Sequence, residues 1–233
     1  HASWIGTPEA STPNQWSCYR KVVQLEKAQG QAFARIAVDS KYWLWINGEL
    51  VVFEGQLKRG PTPDDTYYDR VDLTKHLRKG DNTIALLVWY FGKHGFSHKS
   101  SGKAGLVFDA DLDGKPLLSD SSWKAVTHPA YENTGEPHPN FRLPESNVRF
   151  DAQRDMAGWQ NPDFDDSTWP TTTEQGKPPC SPWNQLVERP IPLWKDFGLK
   201  DYENAAELPT VSDGKVIKAT LPYNAQVTPY LKI

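Results

Sequence analysis

Two groups of neighbouring carboxylates are the residues whose spacing could do chemistry. Asp64-Asp65 and the set Asp163, Asp165 and Asp166 each bring acids within a few positions of one another. Hydrolysis of a glycosidic bond needs two carboxyl groups about 5 to 10 Å apart, one kept protonated by its surroundings. Both groups, however, stand among Pro, Ser, Thr and Gly, where Asp ordinarily bonds its own backbone and starts turns. They read as turn formers, and no catalytic residue is assigned. No Ser occupies a Gly-x-Ser-x-Gly elbow, no His-Glu-x-x-His is present, and no glycine-rich phosphate loop follows a strand. His94 and His98 are four apart, but that spacing serves a metal only on a helix, and Gly92 and Gly95 lie in the same stretch. The expectation is an exposed loop with two ordinary histidines and no metal ligand.

Aromatic side chains carry the stronger signal. The chain has 10 Trp, 9 Tyr and 9 Phe against a single Met. Exposed Trp and Tyr stack on the C–H faces of sugars while nearby polar groups bond the hydroxyls. Trp43 and Trp45 share one face of a strand, and Tyr42, Leu44 and Ile46 share the other. If the second set faces a core, the two Trp lie outside it and need a cover, which a loop, a neighbouring domain or a sugar could supply.

The elements that position these residues are short strands. Ala32 to Val38 alternates, and Tyr42 to Ile46 runs into Asn47-Gly48 before the β-rich Leu50 to Phe53. An Asn-Gly pair between such runs supplies the positive φ angles of a tight hairpin. Thr66 to Val71 is strand-like, Asp72 to Arg78 reads as one helical turn capped by Asp72, and Leu106 to Leu112 is a further strand. Thr83 to Phe91 is apolar at both phases of the alternation, as in a strand covered on both faces. Asp120-Ser-Ser-Trp123 and Asp166-Ser-Thr-Trp169 repeat one pattern, a turn begun by Asp and a Trp anchored on the core. Pro137 to Pro144 and Pro178 to Pro192 read as extended connections, and Val216 to Leu221 and Val227 to Ile233 as strands beyond the second.

The 233 residues suffice for a sizeable core, and 19 Pro and 16 Gly spread along the chain favour an all-β fold. A net charge of −3, from 26 basic and 29 acidic side chains without a basic run, argues against nucleic acid. The longest apolar run, Ile84 to Phe91, is eight residues, and a spanning helix needs about 20, so no membrane segment is expected. Cys18 and Cys180 lack metal-ligand spacing. They could bridge, and two free, partly buried thiols are the simpler reading.

Taken in order, the segments resemble a known family. Ala34-Arg-Ile, Tyr42-x-Leu-x-Ile-Asn-Gly48, Tyr68-Asp69, Val71-Asp-Leu-Thr74, Leu77-Arg-x-Gly80-x-Asn82-x-Ile84-Ala85 and Asp120-x-Ser-Trp-Lys124 are followed by Phe150 to Arg154, Gly158-Trp159, Pro162 to Trp169 and Leu186-Val-Glu-Arg-Pro-Ile-Pro192. This succession resembles the N-terminal region of bacterial α-L-rhamnosidases over about residues 30 to 194. One departure is Trp89 to Phe96, where the family often has a Gly-Trp-Tyr-rich stretch. The resemblance implies a galactose-binding-like jelly-roll β-sandwich followed by the start of a second β domain. The expected division is 1–30, an N-terminal extension with a first strand; 31–176, the sandwich; 177–195, a Pro-rich connection; and 196–233, the truncated start of a further sandwich.

The resemblance further implies a non-catalytic segment of an enzyme that cleaves terminal α-L-rhamnosides of polysaccharides or glycosides by inversion, in a downstream helical barrel. The implied location is extracellular or periplasmic, and the implied partners are carbohydrate or the downstream catalytic domain. The alternative is a stand-alone lectin-like module that binds rhamnose, with Ca²⁺ as its one conceivable cofactor, as in some relatives. Trp43, Trp45, His94 and Phe96 are the candidate carbohydrate contacts.

Overall fold

A computed structural model describes residues 1–28, 30–57, 60–95, 98–132, 134, 148–195, 197–211 and 213–224. Its strands are β1 (Trp4–Gly6), β2 (Gln15–Leu25), β3 (Ala32–Asp39), β4 (Lys41–Ile46), β5 (Glu49–Gly55), β6 (Thr66–Asp72) and β7 (Gly80–Tyr90). They continue as β8 (Gly105–Leu112), β9 (Lys115–Leu118), β10 (Lys124–Thr127), β11 (Tyr131–Glu132), β12 (Arg149–Phe150), β13 (Thr173–Gly176) and β14 (Leu186–Glu188). One sheet runs β13-β1-β8-β3-β6-β14, with β9 added to β8, and the facing sheet runs β10-β2-β7-β4-β5. The β11-β12 pair stands apart. Only the β14 to β6 pairing is parallel among the described ladders. Among the described residues no helix is long and apolar enough to cross a membrane.

Alternation decides what lies between the sheets. Tyr19, Tyr42, Leu44, Ile46, Ile84 and Leu86 of the five-stranded sheet meet Ala34, Ile36, Val38, Leu106 and Phe108 of the other, all fully buried. β7 is the central strand of its sheet and is buried continuously from Asn82 onward, as its two-phase apolar run requires. Ile46 pairs with Glu49 across the Asn47-Gly48 turn, whose φ angles are 54° and 84°. Both are positive, the geometry that matches the twist of the flanking strands. The Asn47 side chain extends the turn into the sheet, donating to Asn82 Oδ1 at 3.0 Å and accepting the Thr83 amide at 3.0 Å. Asp72 Oδ1 accepts the Thr74 amide at 2.9 Å, at the start of the 3₁₀ turn Thr74–His76.

Both Asp-to-Trp turns form, with the Trp123 and Trp169 amides bonded to the Asp120 and Asp166 carbonyls. Both indoles are buried. Only Asp120 folds back on its own turn, accepting the Ser122 amide at 2.9 Å; the Asp166 carboxylate turns elsewhere.

The strip that carries β14 is joined to the core by a buried ion pair. Arg189 Nε donates to Asp69 Oδ1 at 2.6 Å, while Asp69 Oδ2 accepts the Tyr42 hydroxyl at 2.9 Å and the Gln56 amide at 2.7 Å. Nearby, Trp183 stacks on Trp4 at 4.2 Å against the outer face of the seven-stranded sheet. Cys180 packs with that cluster, whereas Cys18 is buried against the outer face of the other sheet. The two thiols are free because the sandwich lies between them.

The chain divides into two compact units, His1–Trp194 and Lys195–Ile233. In the second, Val216 to Leu221 adopts no strand. Its bonds run instead to a loop: Asn204 bridges the Lys218 carbonyl at 3.0 Å and the Thr220 amide at 2.8 Å. A strand needs a neighbour for its alternate backbone groups, and no ladder partner occurs there among the described residues. The expected strand Val227 to Ile233 and the Pro137 to Pro144 connection lie outside the described residues.

Asp69→Ala leaves the Arg189 guanidinium, the Tyr42 hydroxyl and the Gln56 amide without their shared acceptor. The expected loss is about 3 to 5 kcal/mol, read as a lower midpoint in urea unfolding; a shift under about 1 kcal/mol would show that the ion pair does not hold the β14 strip.

Candidate functional site

The outer face of the five-stranded sheet gathers the aromatic residues. Every second residue of β2 points there, giving Trp16, Cys18 and Arg20, and β7 contributes Ala85, Leu87 and Trp89. β4 adds Trp43 and Trp45. Strand register arranges them in rows: Trp16, Trp89 and Lys41; then Cys18, Leu87 and Trp43; then Lys124, Arg20, Ala85 and Trp45. Trp16 is the hub of the first row, stacking on Tyr131 at 4.0 Å, Trp89 at 4.3 Å and Trp43 at 5.5 Å. Trp89 is oriented by a 2.9 Å hydrogen bond from its indole N–H to Asn14 Oδ1.

A strap over residues 149–169 covers most of this face. Trp159 is set edge-on to Trp45 at 5.6 Å, and Trp169 and Phe164 pack beside it. The strap has little ladder of its own, so its backbone carbonyls need donors from elsewhere. Arg20, which is 2% exposed, provides them. Its Nη1 donates to the Trp159 carbonyl and, at 3.1 Å, to that of Asn161; its Nη2 reaches the Phe164 carbonyl at 3.4 Å. Its Nε donates to Asp166 Oδ2 at 2.9 Å, and Lys124 Nζ donates to Asp166 Oδ1 at 2.7 Å. Burial pushes the Asp166 carboxyl up, but the hydrogen bonds from Lys124 and Arg20 outweigh it and hold the group below the usual carboxylate range.

At the other end of the strap, His128 Nε2 stands 3.5 Å from Asp155 Oδ1, and burial lowers the imidazole's affinity for a proton despite that carboxylate. The neighbouring Tyr131 phenol is pushed up to about 12, chiefly by burial. Burial also raises the Cys18 thiol well above its ordinary value. None of these groups is placed as a nucleophile: the thiol is sealed under the strap and the phenol is held neutral.

The sequence candidates take different places. Trp45 lies beneath Trp159, and Trp43 is half-buried at the rim, edge-on to Phe53, which is 47% exposed. The cover for this face is thus largely the chain's own strap, with the Trp43 and Phe53 edge left open. His94 is exposed, and its Nδ1 accepts the amide of Ser100 within its own loop. His98 departs from the expectation of an exposed residue: it is 3% exposed and packs on the Phe91 ring at 5.4 Å. Phe96 lies outside the described residues.

Four of these five acids, Asp64, Asp65, Asp165 and Asp166, are engaged structurally. Asp64 pairs with Lys99, Asp65 accepts Thr62 Oγ1 at 2.8 Å and the Gln185 amide at 3.2 Å, and Asp165 is held low by the Ser167 amide and hydroxyl. Among the described residues no three of His, Cys, Asp and Glu converge as metal ligands. Arg20 escaped the sequence reading. Its signal is a lone guanidinium on the Trp16, Cys18, Arg20 face of a strand buried through Arg20.

The two facing sheets, the Trp turns, the Asn-Gly hairpin and the strap over one outer face make up a jelly-roll β-sandwich. The sequence model of the α-L-rhamnosidase N-terminal domain matches residues 27–192, and the chain belongs to this family. A GH78 family rhamnosidase of Bacillus sp. GL1 is similar in structure, with a TM-score of 0.74 and 32% identity over 83% of this chain and 20% of that one. An α-L-rhamnosidase of Streptomyces avermitilis is 26% identical over 80% of this chain and 15% of its own length. One from Alteromonas sp. is 25% identical over 76% of this chain and 21% of its own length. The chain therefore spans between 15% and 21% of these three proteins.

Arg20→Met removes the donors to three strap carbonyls and the partner of Asp166. The expected cost is about 3 kcal/mol or more, with a red-shifted Trp emission and faster proteolysis between residues 150 and 169. Because the folded Asp166 carboxyl lies below its unfolded value of about 3.9, its stabilisation is complete above about pH 5 and is lost as pH falls through the folded value. Asp166→Asn should flatten that acid limb; an unchanged limb would assign it to other carboxylates.

Proposed function

We propose that the chain is the non-catalytic accessory module of a longer α-L-rhamnosidase-type glycoside hydrolase, that it works outside the cytoplasm, extracellular or periplasmic, and that it packs against the catalytic part. The observation that carries this reading is its uncovered apolar surface. Ile191 and Trp194, at the end of the first unit, are 63% and 71% exposed, and Phe197 and Leu199 in the second unit are more exposed still. Side chains of this size left in water at this frequency mark surfaces that meet another protein surface. The ion pairs of Asp64 with Lys99 and of Asp166 with Arg20 and Lys124 support the same reading, since carboxylates so held serve the fold.

The test is a comparison of two lengths. The 233-residue chain should release no nitrophenol from an aryl α-L-rhamnoside above a heat-killed control. Trp194→Ser should leave its melting temperature within about 2 °C, yet lower that of the longer protein. Hydrolysis by the short chain, or equal melting of the longer protein with and without the substitution, would overturn the reading.

A second reading rests on the open aromatic edge. Trp43 and Phe53 could stack on the C–H face of a rhamnoside, making the chain a lectin-like module. Calorimetric titration with rhamnose and Trp43→Ala separates the two: saturable binding lost in the variant favours the lectin, and silence favours the packing module.

A further inference from the structure

Among the described residues, the outer face of the seven-stranded sheet is covered at one end only. There the Trp4 and Trp183 stack lies over Ala37 and Val107. Farther along the same alternation the face presents Phe33 and Arg35 of β3, Arg70 of β6 and Asp109 of β8. Register sets Arg35 directly opposite Arg70 on one side and directly opposite Asp109 on the other. Two like charges facing each other across a ladder destabilise a sheet, and Asp109 faces only Arg35 of the two. The Arg70 guanidinium lies 3.8 Å from the centroid of the Phe33 ring, over its face.

The surrounding acids are already engaged. Asp72 accepts the Thr74 amide at 2.9 Å, Asp111 the Gly114 amide at 2.6 Å, and Glu188 the Tyr68 hydroxyl at 3.3 Å. Arg35, Arg70 and Asp109 make no ion pair and no side-chain hydrogen bond among the described residues. Two adjoining hollows of ≈ 240 and ≈ 380 Å³ share Arg35 and Asp109 as walls, with Tyr68 and Leu186 lining the first and Arg70 and Phe33 the second.

We propose that this groove binds an acidic saccharide of the uronate type. Its carboxylate is held by Arg35 and Arg70, its hydroxyls donate to Asp109, and its C–H face lies against Tyr68. The donor set selects this class. A bare anion would leave Asp109 without a hydrogen-bond donor, a neutral sugar would leave two guanidinium groups without a counter-charge, and an acidic peptide brings carboxylates but no array of hydroxyl donors. A hydroxylated carboxylate satisfies all three side chains, with charge-assisted bonds as the strongest contacts. The site lies on the sheet opposite the Trp43 edge and stands whether or not that edge takes a rhamnoside.

Calorimetric titration of the whole chain with D-galacturonate, D-galactose, sulfate and a Glu-rich hexapeptide, at matched ionic strength, tests it. The expected result is saturable galacturonate binding, weakened at least about tenfold in Arg35→Gln and in Arg70→Gln, with galactose weaker by a similar factor. Asp109→Asn should weaken galacturonate while leaving sulfate no weaker. Melting curves of each variant verify the fold. No galacturonate binding at any soluble concentration, or binding that survives the double Arg35→Gln/Arg70→Gln substitution, would overturn the proposal. Sulfate or the peptide binding as tightly as galacturonate would overturn it too, marking a bare anion site or a protein-docking face. Rhamnose titrated in the same samples reports on the Trp43 edge alone, so either reading can fail without the other.

Discussion

The interaction on which the aromatic face depends is the buried guanidinium of Arg20. A loop lying across a sheet has backbone carbonyls but no ladder to receive them, and each unpaired one costs free energy when water is excluded. One planar side chain with five donors can satisfy several at once. Arg20 does so for Trp159, Asn161 and Phe164, and Asp166 on the same strap balances its charge. Without that arrangement the strap would have to leave the sheet, exposing the indoles of Trp16, Trp45 and Trp89. The polar centre therefore makes the apolar burial around it attainable.

The two sheets solve the problem of an outer face in different ways. On the five-stranded sheet the strap and Tyr131 cover a field of Trp, and the rows set by register put small Ala85 between the bulky Arg20 and Trp45. On the seven-stranded sheet the strip from Pro178 to Arg189 lays Trp183 on Trp4 and ends in the Asp69 ion pair. Each cover ends in a buried or half-buried Arg-to-Asp contact. Apolar packing supplies most of the energy, while the ion pairs set register, because a shifted strap or strip would bury a charge without its partner.

Much of the sandwich was legible in the sequence because its strands obey local rules. The Asn47-Gly48 turn, the alternation of Tyr42, Leu44 and Ile46, and the two-phase run of β7 follow from turn chemistry and side-chain periodicity. β2 was harder to read, since Lys21 to Gln24 mixes polar and apolar residues at an exposed end. The site was less legible. Trp43 and Trp45 were placed on the outer face, but nothing local to them indicates that Trp159, more than a hundred positions on, lies over one and not the other. Asp166 looked like a turn residue, and its pairing with Arg20 across 146 positions follows only from tertiary structure. The Gly and Ser around His98 suggest exposure, whereas the Phe91 ring it packs on is held in the core just past the end of β7.

The parallel pairing of β14 with β6 has a consequence for synthesis of the chain. Asp69 and Arg189 are 120 positions apart, so a ribosome releases the carboxylate and its Tyr42 partner long before the guanidinium that completes the set. During that interval the seven-stranded sheet has an open edge at β6 and a carboxylate that water must still reach. The sandwich can collapse around its early strands, but closure of that edge waits for β14 to emerge. The nascent chain is thus most open to wrong pairing along β6.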